Sequence, residues 1–248
     1  MEMSVLAIVQ ARMGSTRLPG KVLKAINGVT LIEILLQRLS QSKLIDKIVL
    51  ATGENKENDI LQEKVRKLEF EVFRGSEDNV LDRYYQAAKL YRAKTIVRIT
   101  GDCPFIDSFI VDKVIGLFLD KELDYVSNTD PPTFPDGLDV EVFSFKELEK
   151  AQEQAETMYE REHVTPLIRQ NKKIKQMNYI GAANHSAERW TVDNPEDLAV
   201  VCNVLNYFSP DLNFSWEKVL RLKQSHPEYF EANKNIQRNE GSMIDSRG

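Results

Sequence analysis

Residues 10 to 24 carry Arg12, Arg17, Lys21 and Lys24 and no acidic residue, in a chain whose overall charge is −5. A local concentration of cations in an acidic protein points to a local anion site, not to a general field for nucleic acid or anionic membrane. Gly14 and Gly20 let backbone N–H groups come close to an anion. Arginine grips phosphate oxygens in a planar fork, and lysine acts as a compact charge. A triphosphate is the natural partner of Gln10-Ala11-Arg12-Met13-Gly14-Ser15-Thr16-Arg17-Leu18-Pro19-Gly20-Lys21. Two common phosphate loops are excluded by spacing. Five residues separate Gly14 from Gly20, and Val22 follows Lys21 where a Walker A loop needs Ser or Thr. The dinucleotide pattern GxGxxG is absent. Charge alone leaves a solvated basic face open as the plainer reading.

Phosphoryl chemistry on a triphosphate normally uses Mg²⁺, a hard cation that takes carboxylate oxygens and keeps several waters. Asp102, in Thr100-Gly101-Asp102-Cys103-Pro104, is one candidate ligand, and equally a turn aspartate or helix cap. Asp193 lies in Trp190-Thr191-Val192-Asp193-Asn194-Pro195-Glu196-Asp197. Either Asp193 or Asn194 suits the cap of a helix opening at Pro195; with Asn194 as the cap, Asp193 is left at a strand end. Arg74 and Asn79 belong to a segment that could flank a nucleobase or sugar, although Asn79 equally suits a helix start. Glu141, Arg161 and His163 fall in a less regular region that could shape an acceptor pocket or a dimer contact. His163 as a general base competes with a structural role, and Cys103 reads as a small buried residue.

The elements that must position these residues alternate in the first half of the chain. Val5 to Val9 is a short, nearly continuous apolar run, as expected of a strand buried on both faces; Lys47 to Ala51 reads as a second buried strand, and Phe70 to Phe73 and Thr95 to Ile99 as a third and a fourth. Helices are expected from a Thr30–Glu33 capping box onward, over Glu57 to Leu68, over Asn79 to Tyr91 and from about Ser108 to Leu119. This order implies an α/β fold, a mostly parallel central sheet with helices on both faces, whose ligands lie beyond the carboxyl ends of the strands. The loop after Val9 and Gly101-Asp102 both fall there. Farther on, Leu138 to Phe143, Ile174 to Ile180 and Trp190 to Val192 read as strands. A charged helix starts at a Ser144–Glu147 capping box, and another spans Glu160 to Gln170 with a kink or boundary at Pro166. Residues 1 to 232 form a single domain with an excursion at about 128 to 187. The tail from about 233 to 248 is polar and poorly ordered unless it docks.

The stretch Ile8 to Lys21 resembles the signature of the sugar-acid cytidylyltransferases, which activate 3-deoxy-manno-octulosonate and acylneuraminate sugars with CTP. Gly75-Ser76-Glu77-Asp78-Asn79-Val80-Leu81-Asp82-Arg83, Pro135-Asp136-Gly137-Leu138-Asp139-Val140-Glu141 and Glu160-Arg161-Glu162-His163-Val164-Thr165 resemble the spore-coat polysaccharide SpsF branch of that family. The resemblance covers about residues 3 to 232. It implies a nucleotide-diphospho-sugar transferase fold, similar to glycosyltransferases of the GT-A type and often dimeric. It implies Arg12 and Lys21 as triphosphate ligands, the backbone of Gly14 and Ser15 as support, Arg17 as a weaker one, and Asp102 with Asp193 as the Mg²⁺ pair. The implied reaction moves CMP from CTP to a sugar acid, making Arg12, Lys21 and Asp102 catalytic. Gln10, Ala11, Gly14, Ser15, Arg17, Arg74, Asn79, Glu141 and His163 are then substrate-binding candidates.

Composition sets outer limits. The 248 residues are 42% hydrophobic and 29% charged, ordinary for a globular protein. No apolar run approaches the roughly 20 residues that span a bilayer. Met1 to Val5 has no signal-peptide pattern. The two cysteines, Cys103 and Cys202, suit neither a disulfide framework nor a CxxC metal site, and fit a reducing cytoplasm. Two other functions stay open. One is a glycosyltransferase that uses a ready-made nucleotide sugar, with Asp139-Val140-Glu141 as its acidic metal motif. The other is a silent nucleotide-binding protein.

Overall fold

The computed structural model describes residues 5–238. The chain runs β1 (Val5–Gln10), β2 (Ala25–Ile26), β3 (Val29–Thr30), α1 (Leu31–Leu39), β4 (Lys47–Gly53), α2 (Asp59–Lys67), β5 (Glu71–Gly75), α3 (Val80–Leu90), β6 (Thr95–Thr100) and α4 (Ser108–Asp120). It continues through β7 (Tyr125–Ser127), β8 (Glu141–Ser144), α5 (Phe145–Gln154), α6 (Met158–His163), α7 (Pro166–Gln170), β9 (Gln176–Asn178), α8 (Pro195–Phe208) and α9 (Trp216–Ser225). Seven strands form the central sheet in the order β5-β4-β1-β6-β8-β7-β9. Its pairs are parallel except where β8 meets β6 and β7. β2 and β3 make a separate small hairpin.

Alternation along β1 explains the two cores. Val5, Ala7 and Val9 face one side, packed with residues of α1, α4 and α8. Leu6 and Ile8 face the other, packed with residues of α3 and α5. A strand apolar on both faces must be sandwiched, which is why this one sits inside the sheet. The sheet is mostly parallel with helices on both faces, as expected from the order of elements.

Several elements differ from the sequence reading. Trp190 to Val192 is buried but is not a strand; Arg189 makes a single bridge to Asp136. An apolar run records burial, and here the burial comes from a loop packed against loops. Gly137, at φ +105°, allows it: a Cβ there would lie 2.7 Å from the Thr191 nitrogen. The same loop delays β8 to Glu141, so the strand expected from Leu138 starts later, and Ile174 to Ile180 shortens to β9. The helix expected over Glu160 to Gln170 is two helices, broken at Val164 (φ 67°) with Pro166 opening the second. The Thr30–Glu33 box does not form. Thr30 closes the β2–β3 hairpin and its hydroxyl has no partner among the described residues, while Glu33 pairs with Lys64 at 2.6 Å. Of the Ser144–Glu147 box, Ser144 Oγ accepts from the Glu147 amide. The tail docks at Asn233 and Arg238; residues 239–248 lie outside the described residues.

Candidate active site

The loop after β1 folds on itself. Ser15 and Gly20 N–H groups both donate to the Met13 carbonyl, at 2.9 and 3.0 Å. The Met13 N–H donates to Asn58 Oδ1 at 2.9 Å. Gly20 holds a left-handed conformation (φ 65°), and a 3-10 turn, Lys21–Leu23, starts directly after it. Leu18 and Val22 bury their side chains and anchor the loop on either side of Lys21. These local constraints aim the Lys21 side chain inward.

Its ammonium meets two carboxylates. Lys21 Nζ donates to Asp102 Oδ2 at 3.1 Å and to Asp193 Oδ1 at 2.8 Å. Asp102 follows β6, whose end lies flat against that of β1: Gly101 donates to the Gln10 carbonyl at 2.8 Å. A Cβ at Gly101 would stand 2.6 Å from that of Ala11, so glycine permits this approach. Asp193 is tied to the same point, because the Val192 N–H donates to the Asp102 carbonyl at 2.8 Å and the Thr191 hydroxyl to the same oxygen at 3.2 Å. Burial pushes Asp102 up, but the Lys21 ammonium and the Thr100 hydroxyl outweigh it and hold the carboxyl well below its usual range. Burial alone would lower Lys21; the two carboxylates raise it. Both partners are therefore ionised at neutral pH.

Arg189 organises the second carboxylate. It is nearly buried, and donates from Nη2 to Asp193 Oδ2 (3.0 Å), from Nη1 to Asp136 (2.8 Å), and from Nε and Nη2 to Asp197 (2.9 Å each). Asp197, in the first turn of α8, also accepts the Asp193 and Asn194 N–H groups at 3.0 Å. Asn194 is the cap residue of α8, and Asp193 is free of that duty, as the sequence reading chose. Asn233 reaches in from the C-terminal segment to the Arg189 carbonyl and Asp197.

The surrounding cleft, of about 540 Å³, is also lined by Gln10, Ala11, Arg12, Gly14, Ser15, Arg17, Glu141 and His163. The fold thus gathers the loop, both aspartates and the far excursion around one space. Arg12 sits at its mouth, 3.7 Å from Glu162. Arg17 lies 3.2 Å from Asp193. His163 packs against the Tyr159 ring. Glu141 is buried and engaged, accepting from Tyr125 (2.6 Å), Thr165 (2.8 Å) and Arg98 (2.6 Å), so its oxygens serve a polar network. Arg74 and Asn79 fall outside the cleft lining. Arg74 bonds to Asp59, Gln62 and the Asn55 carbonyl; Asn79 caps α3 through the Asp82 N–H.

Sequence reasoning missed Arg83, Arg98, Asp136, Arg169, Arg189 and Arg238, all of which line the cleft. Arg98 could have been found, since a charge inside the apolar run Thr95 to Ile99 demands a partner. Asp136 and Arg189 carry no local sign; they meet only when the two loops pack. Arg238 bonds to the Phe134 carbonyl and to Asp139.

Among the described residues, no group of three His, Cys, Asp or Glu side chains could hold a metal. Two carboxylates, however, already converge on one cation, the Lys21 ammonium. That donor set suits Mg²⁺, which takes one or two protein carboxylates and completes its shell from phosphates and water.

An open α/β sheet with a cation-bearing loop after its first strand, one aspartate beyond the neighbouring strand β6 and a second from the turn before α8 has the form of a nucleotidyltransferase. A family model described as cytidylyltransferase matches residues 6–236, and the chain belongs to that family. It is 36% identical over 231 residues to the spore coat polysaccharide biosynthesis protein SpsF of Bacillus subtilis, covering 90% of this chain and 95% of that one. It is 32% identical to a 3-deoxy-manno-octulosonate cytidylyltransferase of Geobacter sulfurreducens over 116 residues, 46% of this chain and 45% of that one. A cytidylyltransferase structure from Leptospira borgpetersenii superposes with TM-score 0.90 at 36% identity, covering 95% of this chain and 100% of that one. A CTP complex of a CMP:2-keto-3-deoxy-manno-octonic acid synthetase shares the fold at TM-score 0.66 and 17% identity, covering 82% of this chain and 99% of that one. Among the described residues no helix is long and apolar enough to cross a membrane.

Proposed function

We propose that this cytidylyltransferase moves CMP from CTP onto a hydroxyl of a sugar acid of octulosonic or nonulosonic type, for surface polysaccharide synthesis. The observation that carries the reading is the convergence of Lys21, Asp102 and Asp193 beside the phosphate-loop backbone. The names of the relatives support the substrate class: one acts on 3-deoxy-manno-octulosonate, and another serves spore coat polysaccharide.

In this reading the acceptor oxygen attacks the α-phosphorus, the bond to the β-phosphate oxygen breaks, pyrophosphate leaves, and the hydroxyl proton passes to water. Arg12 and Lys21 offset the charge of the triphosphate and of the departing pyrophosphate. Asp102 and Asp193 would hold Mg²⁺, which supplies charge stabilisation on phosphate oxygens when bound. Arg189 keeps Asp193 oriented. No protein nucleophile is needed, and Cys103 is unsuited to be one: burial, with Asp102 beside it, pushes its thiol well above the usual range. A homodimer, implied by the family resemblance, is part of the proposal and is read by sedimentation. The chemistry is tested by pyrophosphate release from CTP, UTP, GTP and ATP with a panel of 2-keto-3-deoxy sugar acids, with and without Mg²⁺. Release confined to CTP, a sugar acid and Mg²⁺ supports the reading; metal-independent release, or none, refutes it.

A further inference from the structure

Arg83 lies in the first turn of α3 with 2% of its surface exposed. Its aliphatic stem packs on Gly75, where a Cβ would stand 3.4 Å from the Arg83 Cγ. Arg83 is among the residues that line the cleft. Its Nη1 donates to the Ser76 carbonyl at 2.9 Å, and Nε has no partner among the described residues. The nearby Glu77 carboxylate is bonded instead to Asn58 Nδ2 at 2.9 Å. Arg12 presents a second guanidinium to the same cleft. Burial pulls Arg83 below the usual guanidinium range; Tyr84 and Glu77 oppose the shift, and Arg12 adds to it.

A guanidinium keeps its charge in proteins, and burying it without an anion is costly. The other buried cations of the cleft are compensated. Lys21 has Asp102 and Asp193, Arg98 has Glu141, and Arg189 has Asp136, Asp193 and Asp197. Arg83 has no such ion pair among the described residues: Glu77 acts on it only through space, its carboxylate being bonded to Asn58, and Arg12 is a like-charged neighbour. The planar fork, held in place by its stem and with donors to spare, has the form of an oxyanion receptor.

We infer that Arg83, flanked by Arg12, binds an oxyanion of the bound substrates at a point separate from the Lys21 centre. The oxyanion is a phosphate of the nucleotide or the carboxylate of the acceptor; only this choice of source rests on the transferase reading.

The test uses the whole chain in EDTA, where the Lys21 charge is offset by two carboxylates, so that free inorganic phosphate reads the Arg83 wall. At fixed ionic strength, phosphate should give wild type a saturable rise in Tm beyond a sodium chloride control. Arg83→Met should lose that rise, and Arg83→Lys should need about tenfold more phosphate, because it keeps the charge without the fork. No rise in wild type, or an undiminished one in Arg83→Met, overturns the inference. Should Arg83→Met fail to fold, Arg83→Lys decides: an unchanged phosphate midpoint overturns it. Steady-state kinetics of Arg83→Lys then assign the source. A KM raised about tenfold for CTP alone marks the phosphate, and one raised for the sugar acid alone marks the carboxylate. A wild type that transfers to no sugar acid sinks the transferase reading and leaves the phosphate titration standing.

Discussion

Lys21 Nζ donates to Asp193 Oδ1 at 2.8 Å although 172 positions separate the two residues. The bond joins the loop after β1 to the turn before α8. It fixes one end of a three-residue centre whose third member, Asp102, lies 3.1 Å from the same ammonium. A cation at this point keeps two carboxylates together that would otherwise repel, and leaves them arranged for a divalent ion.

Single charges that act on the transition state account for large rate effects. Lys21→Ala and Asp102→Asn should each lower turnover by roughly a hundredfold or more with saturating CTP and Mg²⁺. Near-wild-type pyrophosphate release by either variant would remove that residue from the centre.

Arg189 is nearly buried and serves three carboxylates, so its loss leaves negative charges uncompensated in the interior. Arg189→Ala should destabilise the fold by about 3–5 kcal/mol, the scale for breaking a buried pair. Urea unfolding measures it; a loss below about 1 kcal/mol, the level of a surface pair, would contradict the assignment. Arg189→Lys, which cannot bond to all three at once, should retain much of the stability but show a raised Mg²⁺ requirement.

Asp136 titrates in the opposite sense to Asp102. Burial, with Asp139 close by, pushes it up to about 7. Its proton is bound more tightly in the folded chain than in the unfolded one, so its contribution to stability is fully present below about pH 4 and is lost as pH rises through 7. Asp102, held low, contributes stability that is lost only as pH falls through the acid range. Urea midpoints between pH 5 and 8 should therefore fall less in Asp136→Asn than in wild type. Identical slopes would rule out Asp136 as the titrating group.

Glu141 anchors Arg98 at 2.6 Å in a site closed by Tyr125 and Thr165. Glu141→Gln leaves Arg98 buried without its counter-charge and should cost about 3–5 kcal/mol. If stability is unchanged and only metal dependence shifts, Glu141 is a metal ligand and the network reading is wrong.

The strands inside the sheet were readable because β1 and β4 are short apolar runs and β6 is one interrupted by Arg98. Asp102 was readable as a polar residue just past such a run. The partnership of Asp102 with Asp193 was implied only by family resemblance, since no local pattern links positions 91 apart. Trp190 to Val192 misled because burial without pairing leaves the same apolar trace as a strand. Arg189 escaped notice for a related reason. It sits in a polar stretch where an arginine is unremarkable, and the packing of the Gly137 loop adds Asp136 to its two local carboxylates, Asp193 and Asp197. Arg74 and Asn79 lie near the site in sequence, but the turn from β5 to α3 spends them on a surface ion pair and a helix cap.

The central claim is that the Lys21, Asp102 and Asp193 centre transfers CMP. The most direct measurement follows CTP labelled at its α-phosphate, with Mg²⁺ and a 2-keto-3-deoxy sugar acid, and analyses the products by mass spectrometry. The label should appear in a CMP-sugar, with one unlabelled pyrophosphate for each product formed, and both should be lost in Asp193→Asn. Label recovered only in unreacted CTP across the acceptor panel, or a product that forms undiminished in Asp193→Asn, would contradict the claim.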